Sequence, residues 1–121
     1  MSTFEKVKLY MKRSVTLRKN EDFKEIYSTG KSYANKYLIM YVKKNQSDNN
    51  RVGISVSKRV GNSVIRHRIT RLIRESYRLL EDKFESGLDI IVVARVGARG
   101  KQYSEIESAL LHLMKLHRIG K

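Results

Sequence analysis

The sequence predicts an α/β chain, a sandwich of helices packed on a sheet. Three stretches carry that prediction. From Ser63 to about Phe84, apolar and basic residues recur at helical spacing. Leu88 to Arg95 (LDIIVVAR) is an almost unbroken apolar run, the pattern of a strand buried on both faces. Ser32 to Lys44 and Arg51 to Ser57 alternate with the period of two that a half-buried strand requires.

In chain order, Met1 to Tyr10 lacks clear periodicity and is expected to be a mobile tail, with Met11 as a second possible start and residues 11–121 as a single domain. Asn20 can cap a short helix over Glu21 to Thr29, its first turn carrying Glu21 and Asp22, with Gly30 placed to end it. Phe23, Ile26 and Tyr27 share a face of that helix. For Phe23 and Tyr27, core packing and a binding role fit the pattern equally.

The strand from Ser32 to Lys44 sets Tyr33, Tyr37, Ile39 and Tyr41 against Leu38, Met40 and Val42. An aliphatic face would meet the core. The tyrosine face fits equally cross-strand packing or stacking on unpaired bases. Asn45 to Asn50 is a polar turn cluster, and the strand after it gives Val52, Ile54 and Val56 one face and Gly53, Ser55 and Ser57 the other. The short loop predicts an antiparallel hairpin between these two strands. Small residues on one face would allow something to approach closely.

Asn62 or Ser63 can cap the long helix, behind a Gly61 expected to take a backbone angle that other residues resist. At roughly 100° per residue, Ile65, Ile69, Leu72, Ile73, Tyr77, Leu80 and Phe84 fall on one arc. His67, Arg68, Arg71, Arg74 and Arg78 fall on the other, interrupted only by Glu75. Lys58, Arg59 and Arg66 flank the helix start, whose free N–H groups favour anions. Ser104-Glu105-Ile106-Glu107 reads as a capping box opening a last helix to about Arg118. The predicted order is α-β-β-α-β-α, with room for a further short strand.

The charge balance narrows the function. Lys and Arg number 26 and Asp and Glu 12, a net charge of +14 on 121 residues. Self-repulsion of that size is best explained by an anionic partner. The arginine row fits either a solvated face or a polyanion site. Solvated faces usually mix signs, and guanidinium forks suit bidentate phosphate contacts, which favours the second. With no cysteine there is no disulfide and no thiolate metal site. No apolar run nears the roughly 18 residues of a membrane span, and no signal-peptide pattern is visible. A soluble cytoplasmic protein is expected, without a membrane partner.

No catalytic constellation stands out. The histidines are His67, His112 and His117, and the last two are badly spaced for one helix face. There is no HExxH, GxSxG or P-loop. No catalytic residue and no metal ligand is assigned.

Ser55 to Arg68, SVSKRVGNSVIRHR, resembles the signature segment of the bacterial ribonuclease P protein subunit, which typically reads SVSKKVGNAVVRNRIKR. Lys19-Asn20-Glu21-Asp22-Phe23 with Tyr27, Ala34-Asn35-Lys36 and Asp89 to Arg95 look like further segments of that family. His67 and Thr70 depart from its usual Asn and Lys; His67 can still donate to RNA, so altered contacts rather than lost function are expected, and Thr70 lies off the arginine arc.

The resemblance implies a fold like the second domain of ribosomal protein S5, with a left-handed β-α-β crossover. It implies a catalytic RNA subunit that removes the 5′ leader of precursor tRNA using magnesium, with this protein as an accessory subunit that holds the leader and supports substrate and metal binding. By the resemblance, Lys58, Arg59, Gly61, Asn62, Arg66, His67, Arg68, Arg71 and Arg74, continued by Arg78, face the RNA subunit. Phe23, Tyr27 and Tyr41, with Lys19 nearby, match the cleft for the single-stranded leader. The alternatives are a non-enzymatic RNA-binding module, such as a ribosomal or assembly protein, and a DNA-binding helix. The second is disfavoured because the basic arc lacks Asn or Gln readers.

Overall fold

The structure, a computed structural model, describes residues 14–121. The expected tail and the second start at Met11 lie outside these residues. Five strands form one sheet: β1 (Ser14–Thr16), β2 (Lys31–Ala34), β3 (Leu38–Lys44), β4 (Asn50–Ser55) and β5 (Leu88–Ala94). Three α-helices pack on it: α1 (Asn20–Thr29), α2 (Ser63–Leu80) and α3 (Tyr103–His117). The sheet order is β1-β4-β5-β3-β2. The parallel strands β1, β4 and β5 are joined to an antiparallel β3-β2 hairpin.

Strand β5 takes the centre because both its faces are apolar. Ile90 and Val92 enter the main core with Ile69, Ile73, Tyr77, Ile106, Leu110 and Leu113 from α2 and α3. Ile91 enters a smaller cluster on the other side with Leu17 and Ile26, closed by Phe23, Tyr41 and Val93. Helices α2 and α3 therefore cover one face and α1 part of the other.

This arrangement corrects several expectations. The stretch from Ser32 to Lys44 is two strands, not one. Asn35 turns the chain: its side-chain oxygen accepts from the Tyr37 and Leu38 amides at 3.1 and 3.0 Å. The turn resets the alternation, so Tyr33 stands opposite Met40, on the α2/α3 side of the sheet. The expected hairpin between β3 and β4 does not form, because β5 lies between them and pairs with both. Short β1 was not foreseen. It is held by Ser14, whose hydroxyl accepts from Tyr77 and donates to Glu81, both at 2.7 Å.

Helix ends shift for local reasons. Helix α1 starts at Asn20 itself, with Lys19 before it and no side-chain cap, and Gly30 is extended rather than left-handed. Helix α2 stops at Leu80, a 3₁₀ turn covers Glu81–Lys83, and Phe84 is still buried. The capping box of α3 uses Gln102 and Glu105, whose carboxylate accepts from the Gln102 amide at 3.1 Å, in place of Ser104 and Glu107.

Asp89 is a buried acid on β5 and is fully partnered. Arg51 grips it with two bonds, Nε to Oδ1 at 2.7 Å and Nη2 to Oδ2 at 2.6 Å, and Asn45 donates at 3.0 Å. Arg51 also reaches Asp22 of α1 at 3.5 Å, and Lys43 pairs with Glu25 at 2.7 Å. These two cations tie the acidic side of α1 to the sheet. Burial alone would push the Asp89 carboxyl up, but the hydrogen bonds from Arg51 and Asn45, with the charges of Arg51 and Lys43, hold it below 3.8.

Two outcomes follow from these interactions. The stabilisation from Asp89 is complete above its unfolded value near 3.8 and is lost as pH falls through the lower folded value. Asp89→Asn should cost about 2 kcal/mol at neutral pH in urea unfolding, and the gap to the parent protein should close below pH 3.8. Asn62→Ala, which removes the cap on the Ile65 amide at 3.0 Å, should cost about 1 kcal/mol and lower the melting temperature by a few degrees.

Candidate nucleic-acid interface

Two surfaces collect the residues singled out in the sequence. The first begins at the turn after β4. The Val60 amide bonds back to the Ser57 carbonyl at 3.1 Å, leaving Lys58 and Arg59 exposed just ahead of α2. Asn62 caps the helix as foreseen. Gly61 does not take a left-handed angle, contrary to expectation. Its need is steric: a Cβ there would sit 2.7 Å from the Ile65 side chain.

Along α2, burying Ile69, Ile73, Tyr77 and Leu80 turns the basic arc outward. His67, Arg68 and Arg71 are exposed, while Arg66, Arg74 and Arg78 are half-buried. The row is not uniform. Arg78 bonds to Glu75, with Nε to Oε2 at 3.2 Å, so part of its charge is already compensated. Arg74 leans over the edge of the sheet, beside Thr16, Leu17 and Ile54. Thr70 lies off the arc and bonds to the Arg66 carbonyl at 2.8 Å.

The second surface is a groove on the other face of the sheet, of about 590 Å³, between α1 and the end of β4. Phe23 and Tyr27 line it, and Tyr41 of β3 is not among its lining residues but packs against the Tyr27 ring. The Phe23 and Tyr27 rings lie 6.1 Å apart, and Tyr27 meets Tyr41 edge-on at 4.9 Å. Tyr27 is exposed, and Phe23 and Tyr41 are half-buried. The rings thus form a stepped apolar wall with open edges. Lys19 is exposed one residue before α1.

Tyr33 and Tyr37 do not belong to this wall. Tyr33 packs edge-on against His117 at 4.7 Å, and Tyr37 lies under Lys101 at 5.2 Å, both on the α3 side. Sequence reasoning missed Leu17, Arg18 and Lys24, which line the groove; Ser55, which also lines it, belongs to the small-residue face read as allowing a close approach. Arg18 and Lys24 sit one residue from Lys19 and Phe23, so basic residues flanking the aromatic pair were the available signal. Leu17 and Ile54 line both the groove and the hollow beneath Arg74. The two surfaces therefore meet around the β1-β4 edge.

The charges of α1 are sorted. Asp22 and Glu25 are drawn to Arg51 and Lys43, while Arg18 and Lys24 line the groove. An anion entering the groove thus meets cations, and two of the acids on its helix wall are already paired. Among the described residues no group of three or more His, Asp or Glu is placed to hold a metal ion. No helix among them is long and apolar enough to cross a membrane.

A family model for ribonuclease P matches residues 11–118. The ribonuclease P protein component of Lachnoclostridium phytofermentans is 63% identical over 106 residues, covering 88% of this chain and 91% of that protein. That of Alkaliphilus metalliredigens is 50% identical over 105 residues, covering 87% and 95%. Among solved structures, the Staphylococcus aureus ribonuclease P protein superposes with a TM-score of 0.81 at 37% identity, covering 88% of this chain and 97% of that one. The Thermotoga maritima protein gives 0.76 at 30% identity, covering 84% and 96%. The sheet, the capped arginine helix and the matches along nearly the whole chain agree: it belongs to the ribonuclease P protein component family, the protein subunits of the enzyme that matures the 5′ end of tRNA.

Proposed function

We propose that this chain, as one domain over residues 11–121, works in the cytoplasm beside a catalytic RNA and holds two RNAs at once. The face from Lys58 to Arg78 binds the RNA subunit. The groove of Phe23, Tyr27 and Tyr41, with Lys19, takes the single-stranded leader of precursor tRNA. The observation that carries this reading is the contrast between the surfaces: exposed guanidinium groups on a rigid helix, and ring edges in an open groove.

Each surface suits its RNA. A structured RNA presents phosphates at fixed spacing, and arginine forks on a helix answer them without reading sequence. A leader has unpaired bases, and any base can stack on an aromatic ring. The hydrolysis and the magnesium ions that it uses are assigned to the RNA subunit. The protein contributes positioning: it neutralises phosphate repulsion between the two RNAs, holds the leader and supports substrate and metal binding.

Leader cleavage of a precursor tRNA at low magnesium, with a cognate catalytic RNA, tests this. The protein should stimulate cleavage, and combined Arg68→Ala and Arg71→Ala should abolish the stimulation. The same pair should flatten the salt dependence of RNA-subunit binding, by about 0.7 to 0.9 in log–log slope for each phosphate that is no longer neutralised. RNA binding with cleavage unchanged at every magnesium concentration would overturn the reading. Tyr27→Ala should weaken a substrate with a long leader roughly 5- to 150-fold while sparing the RNA subunit, because one stacked base is worth about 1–3 kcal/mol.

A further inference from the structure

We propose that Gly53 is a positioning residue for the groove: its missing side chain sets the depth at which the Phe23 ring seats. The inference rests on the reading of the groove as the leader site. Gly53 is buried in the middle of β4, paired in register with Ile91, on the side of the sheet that α1 covers. Its backbone is ordinary strand. The glycines with left-handed angles are Gly87 and Gly100. Glycine weakens a strand interior, so alanine would be favoured there if only the backbone mattered.

Phe23 is what alanine would meet. A Cβ on Gly53 would stand 2.5 Å from Cζ and 3.0 Å from Cε1 of the Phe23 ring, and 3.2 Å from the Leu17 Cβ. Apolar carbons settle near 3.5–4.0 Å, so the ring would have to withdraw by about 1 Å. Its withdrawal changes how it packs along the wall. Tyr27 stands 6.1 Å away along the wall, and Tyr41 is 4.9 Å beyond it. The helix that carries Phe23 is tied down by the Glu25–Lys43 and Asp22–Arg51 pairs. A shift of Phe23 therefore alters its packing with Tyr27, the most exposed ring of the three.

The test is a double-mutant cycle of Gly53→Ala and Phe23→Leu, read as the dissociation constant of the holoenzyme for two precursor tRNAs. One substrate has a single-nucleotide leader and the other about eight nucleotides, enough to reach a single-strand site. Gly53→Ala should weaken the long-leader substrate roughly tenfold and leave the short-leader substrate and RNA-subunit binding unchanged. In the Phe23→Leu background the same change should add almost nothing, because the ring edge it displaces is gone.

If Phe23→Leu itself leaves long-leader binding unchanged, the leader reading of the groove fails. If Phe23→Leu weakens it while Gly53→Ala is silent, or the two effects simply add, the positioning role fails and the leader reading stands. Should Gly53→Ala alone not fold, the cycle is read in folding. Recovery of folding in the double variant supports the ring contact, and absence of recovery overturns it.

Discussion

A strand that is apolar on both faces cannot sit at an edge or face water. β5 imposes that constraint here: Leu88, Asp89, Ile90, Ile91 and Val92 are all buried. One side needs α2 and α3, the other needs Leu17 and α1. Because α1 is only ten residues long, it covers the second side in part. What it leaves open becomes the groove. What α2 turns away from the core becomes the arginine face. Both candidate surfaces are thus by-products of burying one strand.

The second organising element is the fixing of charge inside a strongly basic molecule. Asp89 is worth burying only because Arg51 and Asn45 satisfy it, and Arg51 then continues to Asp22. Removing one member would strand the others. The same bonds orient α1, so that its acids point to the sheet cations and its aromatic residues to the groove. Fold stability and groove geometry share these side chains.

The long patterns were legible in the sequence. Helix α2 announces itself by two arcs of opposite character over 18 residues, and β5 by an apolar run that admits few other readings. The family likeness, read from the segment beginning at Ser55, holds along the chain. Pairing between distant strands was not legible, because nothing local to β3 or β4 says that β5 will come between them. A single side-chain turn at Asn35 hid the true faces of Tyr33 and Tyr37, since alternation survives only in an unbroken strand. With three residues, β1 is too short for any period. Gly53 could be read as permitting a close approach, but only the packed structure identifies Phe23 as the group that approaches.

The central claim is that two RNAs meet two different faces of one small domain. Site-directed photocrosslinking tests it most directly, since the chain has no cysteine of its own. A crosslinker attached through Tyr27→Cys should label the leader of precursor tRNA in the holoenzyme, and one attached through Arg68→Cys should label the RNA subunit. Labelling of the same RNA from both positions, or the reverse assignment, would contradict the account.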